Sequence, residues 1–239
     1  MAKKKKVADH SNLTLSASRE KSKSIASVSA LNATQKEALR TIANPENHIT
    51  LLSGIAGTGK TYISVSWGLE QMLQGKFNKI IVTRPYVEAG ESLGYLPGDF
   101  GTKIAPFMIP IFDVLNEHLS SEDVKDLMEH NKLVVLPLAY MRGVTFKNAF
   151  VILDEGQNSS VKQMHLFLTR IGQGSKIVVT GDRSQSDLGL VNGFSDALDR
   201  LENLPGVGIH ELDPQFVVRH PIIPSLDKRY IYKENKKEQ

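Results

Sequence analysis

The sequence predicts an α/β domain, a mostly parallel sheet with helices on both faces. Three observations carry this expectation. Six short β-branched or aliphatic runs recur, at residues 49–53, 79–83, 132–136, 149–153, 176–180 and 207–212. Helical patterns lie between several of them, at 60–74, 103–119, 161–171 and 193–203. The runs are apolar continuously rather than alternately, as in strands covered on both faces. There is no internal repeat, so one domain over residues 31–227 accommodates the pattern.

The flanks have a different character. Residues 1–30 hold seven Lys and Arg against two acids, are rich in Ser and Ala, and have no aromatic or apolar period, which predicts disorder. Residues 228–239 hold five Lys and Arg against two acids. The whole chain carries +3, so residues 31–227 carry a net −5 and the basic character lies in the tails. Lys3 to Lys6 read either as a solubilising tail or as a loose, salt-sensitive tether to nucleic acid. With no cysteine there is no disulfide or thiolate metal site, and an intracellular, cytoplasmic location is the simple expectation. No apolar run reaches the ~20 residues of a membrane helix. MAKKKK is not followed by the apolar stretch of a secretory signal.

Within the domain, LNATQKEAL (31–39) predicts a helix start, with Thr34 as cap and Glu37 completing a capping box. The Gln35 amide offers a donor and an acceptor that suit the edge of adenine; a plain surface glutamine is the competing reading.

After the run 49–53 comes GIAGTGKT, Gly54 to Thr61, which fits G-x-x-x-x-G-K-[ST] between a strand and a helix. Gly54, Gly57 and Gly59 allow backbone angles and close approaches that side chains would block. The N–H groups of Gly54, Ile55, Ala56, Gly57, Thr58 and Gly59, with the positive end of the following helix, can surround phosphate oxygens. Lys60 reaches the terminal phosphates, Thr61 Oγ1 ligates magnesium, and Tyr62 follows in the same nucleotide-binding segment. The implied ligands are ATP and Mg2+.

Thr83 to Gly101 is a long connection with four glycines and two prolines, and loops of that length are usually functional or disordered. Arg84 at its start is positioned for phosphate, nucleic acid or a neighbouring subunit. Tyr86 and Tyr95 either stack on bases or pack within the loop. Arg142 and Arg219 lie in loop-like settings. Each of the three arginines is either a positive finger on the γ-phosphate or half of a structural salt bridge. Trp67 reads as core, and the seven histidines have no metal-ligand spacing.

VILDEGQN (151–158) runs an apolar strand into two adjacent carboxylates, which are rarely buried without a partner. If that strand neighbours the phosphate loop, Asp154 holds magnesium through water and Glu155 acts on the attacking water as a general base or positions it; a solvated strand end is the competing reading. GDRSQSD (181–187) closes another strand at the same sheet edge, where ligands gather in parallel sheets. Gln185 there can contact the γ-phosphate or the lytic water, and Asp182 can support magnesium or the loop.

Together these segments resemble the PhoH family of P-loop ATPases. The resembling residues are GIAGTGKT, TRPYVEAGESLGYLPGD, KIAPFMIPIFDVL, AYMRGVTFKNAFVILDEGQN, LTRIGQGSKIVVTGDRSQSDL and VVRHP. The resemblance implies a RecA-like fold similar to the motor domains of superfamily 1 helicases. It assigns Gln35 to adenine and Gln185 to the γ-phosphate. It further implies ATP hydrolysis coupled to RNA or single-stranded nucleic acid. Such a motor grips ATP between two RecA-like domains, and this chain supplies one. A homo-oligomer, for instance a hexameric ring in which an arginine completes the neighbour's site, is therefore expected. A nucleotide-dependent switch with slow hydrolysis and no translocation is the alternative. A nuclease is the weakest reading, because magnesium and ATP already explain the carboxylates. Arg183 stands where family members usually have proline, and Gly156 where they commonly have alanine; neither removes a catalytic group. The short length resembles bacteriophage versions, which would place the protein in a host cytoplasm.

Overall fold

The structure, a computed structural model, describes residues 30–85, 100–183, 185 and 191–218, and beyond those 220, 222, 223, 225, 226 and 229. In chain order its elements are α1 (Ala33–Ala43), β1 (Ile49–Ser53), α2 (Lys60–Leu73), β2 (Lys79–Thr83), α3 (Phe100–His118) and α4 (Ser121–Glu129). They continue with β3 (Leu133–Val135), β4 (Ala149–Leu153), α5 (Val161–Leu168), β5 (Lys176–Gly181), α6 (Gly193–Arg200) and β6 (Val207–Glu211). Single turns of 3-10 helix occupy Leu138–Met141 and Gly156–Asn158.

All six apolar runs form strands of one sheet in the order β3-β2-β4-β5-β1-β6. Every pairing is parallel, with Leu51 beside Val179 and Val151 beside Ile177 in the centre. Alternation along each strand divides the core between the two faces. Leu52, Ile80, Val82, Phe150, Ile152 and Val178 pack with α1, α2, α3 and α4. Leu51, Ile81, Val151, Leu153, Ile177 and Val179 pack with α5, α6 and the 3-10 turn at Leu138. Both faces are apolar, so continuous hydrophobic runs are the expected sequence of such strands. This is the α/β architecture the sequence predicts, a parallel sheet with helices on both faces.

Several local expectations change. Asn32, not Thr34, caps α1, its side chain accepting from the Gln35 N–H. Thr34 Oγ1 instead accepts from the Asp213 N–H, which ties the start of α1 to the chain beyond β6. Residues 121–129, unassigned from the sequence, form α4 behind a Ser120–Asp123 capping box. α3 starts at Phe100, three residues earlier than expected, while α5 and α6 end three residues early, at Leu168 and Arg200. Trp67 is part of the core as expected, its ring 5.1 Å from that of Phe150. The flanking segments 1–29 and 231–239 and the loop residues Tyr86 and Tyr95 lie outside the described residues. No helix among the described residues is long and apolar enough to cross a membrane.

Candidate functional site

The C-terminal ends of β1, β2 and β4 bring together residues far apart in the chain. Asp154 does not sit on the strand next to β1, as expected, because β5 lies between them. The two strands are still close enough for Thr61 Oγ1, at the start of α2, to donate to Asp154 Oδ1 at 2.7 Å, across 93 residues of sequence. Thr180 Oγ1, on the intervening strand, donates to the same oxygen at 2.6 Å. Asp154 is only 2% exposed. Its Oδ2 makes no hydrogen bond and faces Arg84 Nε at 3.2 Å as an ion pair.

The loop before α2 is built around its own lysine. Lys60 Nζ donates to the carbonyls of Gly54 at 2.6 Å and Ile55 at 2.9 Å. Gly59 caps α2 in the left-handed region with no side-chain hydrogen bond, so the first N–H groups of the helix are left for a ligand. Any Cβ at Gly59 would come within 2.5 Å of Gln35 Nε2. Gln35 is fully buried beneath this loop, where Nε2 donates to the Thr58 carbonyl at 3.0 Å and Oε1 accepts from the Leu31 N–H at 2.9 Å. The amide thus braces the phosphate loop; only its second N–H is left over for a base.

A cleft of about 630 Å³ opens over these residues, within the size range of ligand pockets. Ala56, Gly57, Gly59, Lys60, Thr61 and Tyr62 line it, with Gln35, Arg84, Asp154 and Glu155. Gly54, Ile55 and Thr58 stand behind the lining and contribute carbonyls to Lys60 and Gln35. The opposite wall is α3, through Pro110, Asp113, Val114 and Glu117. Sequence reading missed that wall, since exposed acids on a helix look like a solvated face. α3 is held against α2 by His118, whose Nε2 is 2.8 Å from Ser66 Oγ and whose ring lies 5.9 Å from that of Tyr62. Leu31 and Val218 close the rim, and the Val218 N–H donates to the Gly57 carbonyl at 2.9 Å.

Glu155 adopts φ 56°, ψ 43°, a left-handed conformation that a residue with a side chain rarely takes. This turn leaves its carboxylate half exposed at the cleft. Arg84 Nη2 lies 3.3 Å from Oε1, and Gln157 Nε2 donates to Oε2 at 2.6 Å. Arg84 therefore belongs to this chain's own carboxylate pair. Gln185 is exposed and does not line the cleft, and Arg142 is exposed after the 3-10 turn; Arg219 lies outside the described residues. Asp182 serves the loop through its backbone, its N–H donating to Gln157 Oε1 at 3.1 Å.

The donor set suits magnesium. Among the described residues no three His, Cys, Asp or Glu side chains cluster as a metal cage. Mg2+ is typically held by one or two protein oxygens together with water and substrate phosphates. Thr61 Oγ1 and the buried Asp154 Oδ2, which lacks a hydrogen bond, supply such oxygens.

Over residues 27–231 the chain matches the family described as PhoH-like protein. It is 45% identical over 190 residues to a PhoH-like protein of Bacillus subtilis, covering 79% of this chain and 60% of that one. It is 44% identical over 192 residues to a PhoH-like protein of Synechocystis, covering 80% and 58%. Protein PhoH of Escherichia coli K12 is 42% identical over 194 residues, covering 80% and 54%. The chain thus spans three fifths or less of these relatives' length. Among solved structures it is similar to the Pif1 helicase from Candida albicans, with TM-score 0.42 and 16% identity, covering 87% of this chain and 44% of that one. It is also similar to the Sulfolobus solfataricus SWI2/SNF2 ATPase core in complex with dsDNA, with TM-score 0.43 and 12% identity, covering 80% and 46%. The family match covers nearly all of the folded region, and the chain belongs to the PhoH-like protein family.

Proposed function

We propose that the protein hydrolyses ATP with magnesium, and that hydrolysis is coupled to RNA or single-stranded nucleic acid in a homo-oligomer. The observation that carries the hydrolytic part is the Thr61–Asp154 hydrogen bond, with Glu155 beside it at the same cleft. In this reading the loop N–H groups hold the phosphates, and the Lys60 ammonium moves from its carbonyl partners to the terminal phosphate oxygens. Thr61 and Asp154 would hold magnesium, which when bound would screen the phosphate charge and polarise the phosphoryl group. Glu155 orients water and takes its proton as the water oxygen bonds to the γ-phosphorus and the bond to the ADP oxygen breaks.

Both walls of the described cleft, the phosphate loop and α3, come from this chain, and Arg84 is engaged by its own Asp154 and Glu155. The arginine offered to a neighbour is then Arg142, which is exposed, or Arg219.

The test is steady-state ATPase with Glu155→Gln as the key variant. It should retain ATP and lose turnover by on the order of 10²-fold or more. Normal hydrolysis by this variant would remove Glu155 from the mechanism. Single-stranded RNA should raise the wild-type rate, with an effect that falls steeply as salt rises. No stimulation, together with a monomer in light scattering with ATP, would leave a nucleotide-dependent switch instead of a motor.

A further inference from the structure

We propose that Gln157 is the positioning residue for Glu155, fixing its carboxylate and coupling it to the loop after β5. The inference rests on the reading of Glu155 as the group that acts on water. Gln157 is 2% exposed, and its amide is used at both ends. Nε2 donates to Glu155 Oε2 at 2.6 Å, and Oε1 accepts from the Asp182 N–H at 3.1 Å. The glutamate is thereby tied, through one side chain, to the main chain of another strand end.

The chemistry explains why this position is a glutamine. The residue must donate to a carboxylate and accept from an N–H at once, which only an amide of the neutral side chains here does in fixed geometry. Glutamate of the same size accepts from Asp182 but has no proton for its neighbour when ionised. Asparagine is one methylene short of the span. The 3-10 turn Gly156–Asn158 sets the reach, and it is fastened by Ser159 Oγ donating to the Gly156 carbonyl at 2.6 Å.

The need for such a tether follows from Glu155 itself. Its left-handed backbone throws a long side chain into a half-open cleft, where its rotamers would be free to interchange. Arg84 supplies attraction from one side at 3.3 Å, and Gln157 supplies direction from the other. Asp182 also begins the segment that carries Gln185. A shift of that backbone therefore reaches the Glu155 carboxylate through two consecutive hydrogen bonds.

The experiment compares kcat, KM and binding of a fluorescent ATP analogue for Gln157→Ala, Gln157→Glu, Glu155→Gln and the double variant Glu155→Gln, Gln157→Glu. Analogue binding shows that the phosphate loop is intact. Both Gln157 variants should lose kcat by on the order of 10²-fold, the scale of a misplaced reacting group, with KM and analogue affinity unchanged. Added to Glu155→Gln, Gln157→Glu should cause no further fall, because it acts only through Glu155. In that double variant amide and carboxylate exchange places, so the melting temperature lost in Gln157→Glu should be regained without activity. Full kcat in Gln157→Glu, or a loss repeated undiminished in the Glu155→Gln background, overturns the inference while leaving Glu155 in its role. If Glu155→Gln alone hydrolyses ATP like the wild type, the role of Glu155 falls and takes this inference with it.

Discussion

Replacing Gln35 by alanine separates a brace from a base reader. The side chain donates to the buried Thr58 carbonyl at 3.0 Å and accepts from the Leu31 N–H at 2.9 Å. Two neutral hydrogen bonds are worth about 1 kcal/mol each, and a buried carbonyl stripped of its donor costs about 1–3 kcal/mol. Thr58 is fully buried, so water does not easily replace the amide. The exposed Leu31 can rehydrate, which lowers its share. A total of about 2–4 kcal/mol follows, and at roughly 2–4 °C per kcal/mol for a domain of this size the melting temperature should fall by about 5–15 °C. Gln35→Met, which keeps the volume and loses both bonds, should show most of that fall. The assay is thermal unfolding without nucleotide, paired with ATP and GTP affinities. ATP and GTP binding should weaken together, because the loop under both has lost its support. A wild-type melting temperature with selective loss of ATP would refute the brace.

Gly156→Ala should destabilise the protein by about 1–3 kcal/mol, since overpacking a filled core costs that much; the new Cβ would lie 2.7 Å from Val179 Cγ1. Adding Val179→Ala should recover part of the loss in denaturant unfolding. Thr180→Val keeps the shape and removes the donor to Asp154 Oδ1. The magnesium concentration for half-maximal ATPase should rise about tenfold, as for other groups that orient a metal ligand. Lys176 gives a pH signature. Burial lowers its ammonium from 10.5 to about 8, against the pull of the Ile42 and Asn44 carbonyls and the Trp67 ring. Between these values the unfolded chain binds the proton and the folded chain does not. Stability from this residue therefore rises from pH 8 to 10.5, by at most about 1.4 kcal/mol per pH unit. Lys176→Met should flatten that slope in urea unfolding, and an unchanged slope would contradict the assignment.

The elements that could be read from the sequence are those whose cause is local. The runs of β1, β2, β4 and β5 became strands because their neighbours on both faces are apolar, whereas the edge strand β6 is half exposed. GIAGTGKT became a phosphate loop because glycine positions and a following helix suffice to make one. What could not be read depends on partners elsewhere in the chain. Nothing near VILDEGQN says that β5 will separate it from β1, and yet Thr180 on β5 is what completes the donors around Asp154. Thr34 is as good a cap as Asn32 until Asp213, from beyond β6, claims its hydroxyl. α4 buries only Val124 and Leu127, too few for a helical period to show. Its Ser120–Asp123 box was the available signal.

Glu155 shows where local preference and function part. At φ 56° a residue with a Cβ costs roughly 1–2 kcal/mol, and glycine would remove that penalty. A glycine is present one position later, at Gly156, where the constraint is space against Val179 rather than a positive φ. The strained position has instead kept a long acid, whose carboxylate stands between Arg84 and Gln157 at the mouth of the cleft. A right-handed or extended backbone there would relieve the strain and send the side chain elsewhere, away from the Asp154 pair. Strain of this kind persists where the surroundings hold it in place, and such sites cluster at functional centres. The backbone at Glu155 therefore argues for its role independently of the motif around it.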